Sequence, residues 1–461
     1  IMRNIGERWK AALICLLMMC GCQAELGAPA TPTLRPTLAI IPTLTSALSL
    51  PTSAATAINY PLFGTPLGLT TQRADGDHLI GGIGALPDAP SIDIPVKGVP
   101  MWVVGANTLN GTVWLVVLED GQRQFFDISM DGTVKELALD TTQVHPPLTT
   151  PPAIFAGPDG SQIIPSVPAA PDASPLTPPM MIGPKWVYVT DKDGLSINYK
   201  TLLDINALPD TRLLTDEQGH VLMLSDPTTA YPHGVLGDRI EAGSMTLVST
   251  SPEPTIIRVI GAPEEMVFES IAPIWTDLNG DGQREIIVTA SDEKLGARIM
   301  VYDEAGNIIA QSEPLGEGFR WQHVIAAGPF GPKSEMEIAT VRSPHVAGTA
   351  QFYRMNGTSL DIVAQVPGYA SHVINTRNLD MAAAGDFDGD GRIELLTPTQ
   401  NVKALAAVQH ADSGGREIWR ISLNATLTSN LAGLTLPNGQ MLLGAGLSSG
   451  VLRVWGIGSS Q

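Results

Sequence analysis

From about residue 76 the chain alternates short apolar runs with tight polar turns. WLVVL at 114–118, WVYVT at 186–190, HVLML at 220–224 and IMVY at 299–302 are too short for stable helices and rich in β-branched and aromatic residues, which suits strands. Between such runs stand Asp75-Gly76, Asn110-Gly111, Asp120-Gly121, Asp131-Gly132, Asp159-Gly160, Asp193-Gly194, Asn356-Gly357 and Asn438-Gly439. Dipeptides of this kind supply the positive φ that two-residue hairpins need. No long stretch carries a 3.6-residue apolar period. The pattern predicts an all-β fold: a sandwich, a barrel or a propeller.

Internal repetition selects among these. Ala383-Ala384-Gly385-Asp386-Phe387 aligns with Ala326-Ala327-Gly328-Pro329-Phe330, and without a gap Glu394 then falls on Glu337 and Leu395 on Ile338. A third copy, DLNGDGQREIIV from Asp277, puts Glu285 in the same place. The glutamates are spaced 337 − 285 = 52 and 394 − 337 = 57 residues apart. QGHVLML at 218–224 and NGQMLLG at 438–444 are weaker echoes. Each copy continues into further strand-like text, so one unit holds about four strands, the make-up of a propeller blade. Residues 76–461 divided by that period give about seven four-stranded blades, with six or eight also compatible. The Pro-rich stretch 145–184 is expected to carry a long loop between blades.

Two copies contain an improbable concentration of acid. Counting from Asp277 or Asp386, positions 1, 3 and 5 are Asp277, Asn279 and Asp281, or Asp386, Asp388 and Asp390; a glycine follows, and position 9 is Glu285 or Glu394. Alternate oxygen side chains converge when such a loop curls around a cation, and the backbone carbonyl at position 7, Gln283 or Arg392, adds one more oxygen. Hard oxygen donors without Cys or His suit Ca²⁺. An EF-hand needs a bidentate Glu at position 12 and an exiting helix, whereas position 12 here is Val288 or Thr397 in strand-like text. Two nine-residue calcium loops are expected. Pro329, Gly331 and Lys333 replace the ligands in the middle copy, where no ion is expected.

The motif D-x-[DN]-G-D-G-x-x-E before an apolar strand resembles the FG-GAP/VCBS repeat of integrin α-subunit propellers and of bacterial surface proteins, and GPFGP at 328–332 is similar to its Phe-Gly core. The resemblance is close over 270–400 and thin over 80–265. It implies a calcium-bearing β-propeller outside the cytoplasm, of a kind that serves as an adhesion or ligand-binding platform and in some cases as a carbohydrate lyase.

The N-terminus reads differently. Arg3, Arg8 and Lys10 precede an apolar run at 11–20, then Gly21-Cys22. This resembles a lipoprotein signal, with Cys22 as the lipidated residue and 1–22 as the signal segment; a membrane is expected as a partner only through that lipid. A cleaved signal and a retained anchor are the alternatives. Residues 23–75, rich in Thr and Pro, are expected to form a disordered tether, and 76–461 the propeller. The three cysteines all lie within the first 22 residues, so no disulfide or thiolate chemistry is available to the body of the chain. A net charge of −19 without a basic run argues against nucleic acid.

Catalytic signatures are sparse. GLSSG at 446–450 has the spacing of a nucleophile elbow, but no histidine follows it and the flanking text is strand-like. The eight histidines are scattered; His323 and His345 belong to one predicted blade and could line a central channel. Trp275, Trp321, Trp419 and Trp455 are expected in packed cores rather than on a sugar-binding face. The expectation is a monomeric, surface-anchored, calcium-stabilised propeller that binds a protein or glycan. The alternatives are a lyase-like carbohydrate-active enzyme and an envelope assembly scaffold, so whether the chain is an enzyme stays open, with a non-enzyme favoured.

Overall fold

A computed structural model describes residues 66–68 and 71–458, apart from 109–110, 139–150, 153, 157–162, 166–173, 175, 178–179, 183–184, 191–193 and 199. The chain divides into two units, 1–58 and 59–461. The expected signal segment, Cys22 and most of the expected tether lie outside the described residues. Those that are described contain strands and turns and no helix.

The strands run in antiparallel meanders. β1 (Pro66–Gly68), β2 (Leu79–Ile83) and β3 (Ser91–Pro95) come first and are used elsewhere in the ring. The first unit is β4 (Pro100–Asn107), β5 (Gly111–Leu118), β6 (Arg123–Ser129) and β7 (Val134–Leu137). β8 (Ile154–Ala156) and β9 (Ile163–Pro165) form a three-stranded sheet with β1. The second unit is β10 (Met180–Ile182), β11 (Lys185–Val189), β12 (Leu195–Ile197) and β13 (Thr201–Leu203). The stretch 145–184 thus includes strands as well as loop.

The third unit is β14 (Leu214–Thr215), β15 (His220–Thr228), β16 (Glu241–Ser249) and β17 (Thr255–Gly261), and β18 (Val267–Phe268) links it to the fourth. The fourth is β19 (Ile274–Thr276), β20 (Glu285–Ser291), β21 (Arg298–Tyr302) and β22 (Ile308–Ser312); the fifth is β23 (Gln322–Gly328), β24 (Glu337–Arg342), β25 (Thr349–Asn356) and β26 (Ser359–Pro367). The sixth is β27 (Ala383–Asp386), β28 (Glu394–Pro398), β29 (Ala404–Ala411) and β30 (Gly414–Ser422). The last is β31 (Leu427–Thr435), β32 (Met441–Leu447) and β33 (Val451–Trp455), completed by β3 from the start of the chain. The three repeat glutamates Glu285, Glu337 and Glu394 each open the second strand of their unit, so the sequence alignment and the strand register agree.

Packing arranges these units in a ring. One apolar cluster joins the second unit to the third, and others join third to fourth, fourth to fifth, fifth to sixth and sixth to seventh. A further cluster brings the two ends of the folded chain together, packing Ala432, Leu442 and Val454 of the seventh unit on Val103, Trp114 and Phe126 of the first, whose other side packs on Ile154 of β8. Stacked in this way a blade buries both faces, so its inner strands need not alternate apolar and polar residues. β5 (GTVWLVVL) and β20 (EIIVTAS) are buried throughout, whereas the outermost strand β17 is largely exposed. Of the expected turn glycines, Gly132 (+87°) and Gly439 (+88°) take the positive φ, whereas Gly111 and Gly194 do not.

The centre of the ring is filled by the chain itself. Residues 71–86 touch the innermost strands of five consecutive units. The Ala74 carbonyl accepts from Thr215 N, the Asp75 carbonyl from Trp275 N, and the His78 carbonyl from Ala384 N. The Asp77 carboxylate accepts from Ala327 N, β2 pairs in parallel with β27, and the Gly81 carbonyl accepts from Thr435 Oγ1. The folded region therefore starts before residue 76, and the expected tether boundary at 75 is corrected accordingly. Across the same centre, Arg212 before β14 forms a two-pronged ion pair with Asp380 before β27, Nη1–Oδ1 2.7 Å and Nη2–Oδ2 2.8 Å. His78 Nε2 joins Asp380 Oδ1 at 2.7 Å. Burial opposes the charge of Asp380, yet Arg212 and His78 hold its carboxyl well below the usual range.

Candidate functional site

In an up-and-down unit, the turns from first to second strand and from third to fourth lie at one end of the disc. The turns from second to third strand and the connections between units lie at the other. The acidic loops are first-to-second turns, so they share one face. The loops on the opposite face form the second region of interest.

The loop of the sixth unit is shaped by its own carboxylates. Asp386 Oδ1 accepts from Gly389 N at 2.8 Å and Oδ2 from Gly391 N at 3.2 Å. Asp388 Oδ1 accepts from Asp390 N at 3.1 Å, and Asp390 Oδ1 from Arg392 N at 2.8 Å. Gly389 (+80°) and Gly391 (+83°) take the left-handed backbone that the curl requires. Asp386, Asp388, Asp390 and Glu394 each present an oxygen within 4.8 Å of the others. Glu394 is fully buried. Burial first, then the charges of Asp388, Asp390 and Asp386, push its carboxyl up to about 8; Asp386 is raised for the same reasons. Four converging carboxyl groups of this kind could hold a hard divalent ion. The Arg392 side chain leaves the loop and donates to the His410 carbonyl at 2.7 Å.

The loop of the fourth unit repeats the frame with one difference. Asp277 accepts from Gly280 N at 2.7 Å and Gly282 N at 2.9 Å, and Asp281 Oδ1 from Gln283 N at 2.8 Å. Asn279 Nδ2 donates to Glu285 Oε1 at 2.9 Å and to Asp281 Oδ2 at 3.3 Å. Here the amide comes from the loop itself, whereas in the sixth unit Glu394 Oε1 takes a longer bond from Gln409 Nε2 on β29, at 3.3 Å, and position 3 is a third acid, Asp388. The middle copy goes further: Glu337 accepts from Arg354 Nε at 3.1 Å and from His410 Nδ1 at 3.0 Å, so a guanidinium and an imidazole stand where a cation would.

At the opposite mouth, residues far apart in sequence meet. Trp321 stacks on His323 at 4.8 Å and on His345 at 6.0 Å, with His372 edge-on at 5.2 Å. His233 pairs with the fully buried Glu269, which also accepts from Ser291 Oγ, and the His233 ring stacks on Phe319 at 5.3 Å. The predicted pair His323 and His345 is brought together, but His233, His372, His78, Arg212 and Asp380 were not singled out from the sequence. Their positions in the chain follow no spacing rule, so no local pattern marked them. Trp275, Trp321 and Trp455 are buried, Trp419 partly so. Trp419 Nε1 donates to Asp388 Oδ2 at 3.1 Å, tying the outermost strand to the acidic loop. GLSSG spans the turn between β32 and β33, a hairpin rather than a strand-to-helix elbow.

Fold and site define the class: an all-β propeller with acidic loops on one face and a histidine-ringed mouth on the other. No protein-family model matches the sequence, and no curated protein does. Solved structures that resemble it include a Dos1 propeller (8% identity, 81% of this chain and 95% of that chain, TM-score 0.36). The WD40 domain of coronin from Toxoplasma gondii is similar at 8% identity, covering 82% of this chain and 89% of that one at TM-score 0.33. A Bacteroides caccae protein of unknown function matches at 10% identity over 49% of this chain and 64% of its own, TM-score 0.27. At such TM-scores these likenesses carry no weight for function, and the propeller class stands on the strand order and ring packing of this chain.

Proposed function

We propose that this protein is a calcium-braced binding module of the FG-GAP/VCBS type, which docks a protein or glycan partner at the mouth opposite its acidic loops. Convergence of Asp386, Asp388, Asp390 and Glu394 on one point carries the calcium reading. The ion is structural in this reading: it sits far from the mouth, relieves the repulsion within the loop and fixes the turn between β27 and β28. Its affinity is expected on the order of 10⁻⁴ to 10⁻³ M, as in extracellular modules.

Exposed apolar side chains at the mouth carry the docking reading. Phe319 (51%), Val346 (85%), Val373 (39%) and Ile374 (52%) stand open to solvent. Loops 343–348 and 371–376 contain no Asp, Glu, Lys or Arg, in a chain with a net charge of −19. Glu317 and Arg320 flank Phe319, and Arg342 and Arg377 flank the two loops, so the apolar side chains are rimmed by charge, which suits a partner with an apolar face. In the same reading Cys22 is lipidated, and the module works outside the cytoplasm, held to a membrane as a monomer.

Calorimetric titration of the purified chain with Ca²⁺, beside screening on glycan and extracellular-protein arrays, tests both parts. Two binding events are expected, along with array hits that weaken in Val346→Ser/Ile374→Ser. Absence of calcium binding overturns the first part; hits indifferent to the double substitution overturn the second.

A further inference from the structure

Two of the mouth loops are held together by a bond between histidines. The Thr376 carbonyl can only accept, so the His372 Nε2 that faces it at 2.6 Å carries a proton. A neutral His372 then has a bare Nδ1, and His345 Nε2–H donates to it at 2.7 Å. His345 lies between β24 and β25, whereas His372 and Thr376 lie between β26 and β27. The groups around the pair are His323, whose Nδ1 meets Ser371 Oγ at 2.9 Å, His233 with Glu269, the central His78, Asp380 and Arg212, and, next to Thr376, Arg377 with its partners Asp210 and Asp238. Among the described residues no carboxylate is hydrogen-bonded to either ring of the pair.

We propose that the His345–His372 pair is an acid-sensitive latch, which keeps the docking surface in shape at neutral pH and releases it when both rings are protonated. This rests on the reading of the mouth as the docking face. The pair tolerates one added proton, because His345 Nδ1 takes it and the Nε2–H···Nδ1 bond survives. A second proton, on His372 Nδ1, sets N–H against N–H, with no carboxylate bonded to either ring among the described residues. Loops 343–348 and 371–376 then part, and Val346, Val373 and Ile374 lose their common frame. Burial pushes the His345 ring down to about 4 and the His372 ring down to about 3, which places the release in a strongly acidic medium.

Hydrogen exchange of the full chain in excess Ca²⁺, corrected for intrinsic rates, tests the latch. Between about pH 7 and about pH 3.5, peptides spanning 343–348 and 371–376 are expected to lose protection by about tenfold or more while β28 and β29 stay protected. His372→Ala is expected to show the same local loss at neutral pH, where calcium loops and carboxylates are undisturbed. Loops and core strands losing protection together in acid, or unchanged loops in His372→Ala at neutral pH, would overturn the latch. Val346→Ser/Ile374→Ser separates the two readings, since it removes apolar surface without touching the histidine bond. Partner binding indifferent to it defeats the docking face, while the exchange result still decides the latch.

Discussion

Asp386 and Asp277 hold the same place in two loops, but their surroundings differ. Asp386 belongs to a set of four carboxyl groups; the loop of Asp277 has the Asn279 amide folded into it. Added Ca²⁺ is therefore expected to raise the Tm of the chain, with Asp386→Ala removing more of that rise than Asp277→Ala, as differential scanning fluorimetry with and without EDTA would record. Equal effects would mean that the Asn279 amide yields easily to the ion. Asp380→Asn is expected to cost about 3–5 kcal/mol, because it strands a buried Arg212 guanidinium; urea unfolding measures this, and a loss under 1 kcal/mol would mean that water reaches the pair. These residues differ in how readable they were. The acidic residues stand on alternate positions of one loop, so their convergence is local and visible in the sequence. Arg212, His78 and Asp380 become a group only when strands from opposite sides of the ring face inward.

At the level of elements, the repeat was the most legible feature, since Glu285, Glu337 and Glu394 mark the same strand start in three successive units. The N-terminal boundary was the least legible. Thr71 to Asp75 reads as more polar tether, yet Ala74 and Asp75 bond to Thr215 and Trp275, partners that lie more than a hundred residues downstream. A chain beginning at Gly76 is therefore expected to melt below one beginning at Asn59, by several degrees for the loss of a few buried hydrogen bonds. Equal melting temperatures in paired thermal scans would mean that residues 71–75 rest on the ring without bracing it.

For the whole molecule, buried neutral histidines set an acid limit. Burial holds His323 and His372 well below the ordinary imidazole range, so each binds a proton on unfolding once the pH drops under about 6.5. Their stabilising contribution is complete above that value and declines as pH falls, by about 1.4 kcal/mol per pH unit for each histidine. Asp77 runs the other way: burial raises its carboxyl to about 8, so its contribution is lost as pH climbs towards that value. Comparing wild type with His323→Gln/His372→Gln at about pH 7 and about pH 5 isolates the histidine share; parallel losses in the two proteins would show that these rings already exchange protons in the folded state.

The pairing of Ser91 with Trp455 also bears on how the chain is made. Synthesis runs from the N-terminus, and the first unit cannot find its neighbour on that side until the last strand has been produced. For most of translation the growing chain is an open stack with an uncovered apolar flank, and β3 waits without a partner. Contacts between such distant positions form slowly. A ribosome that stalls short of residue 455 therefore leaves more than a shortened protein: it leaves a stack whose first blade is bare, a ready client for chaperones and proteases.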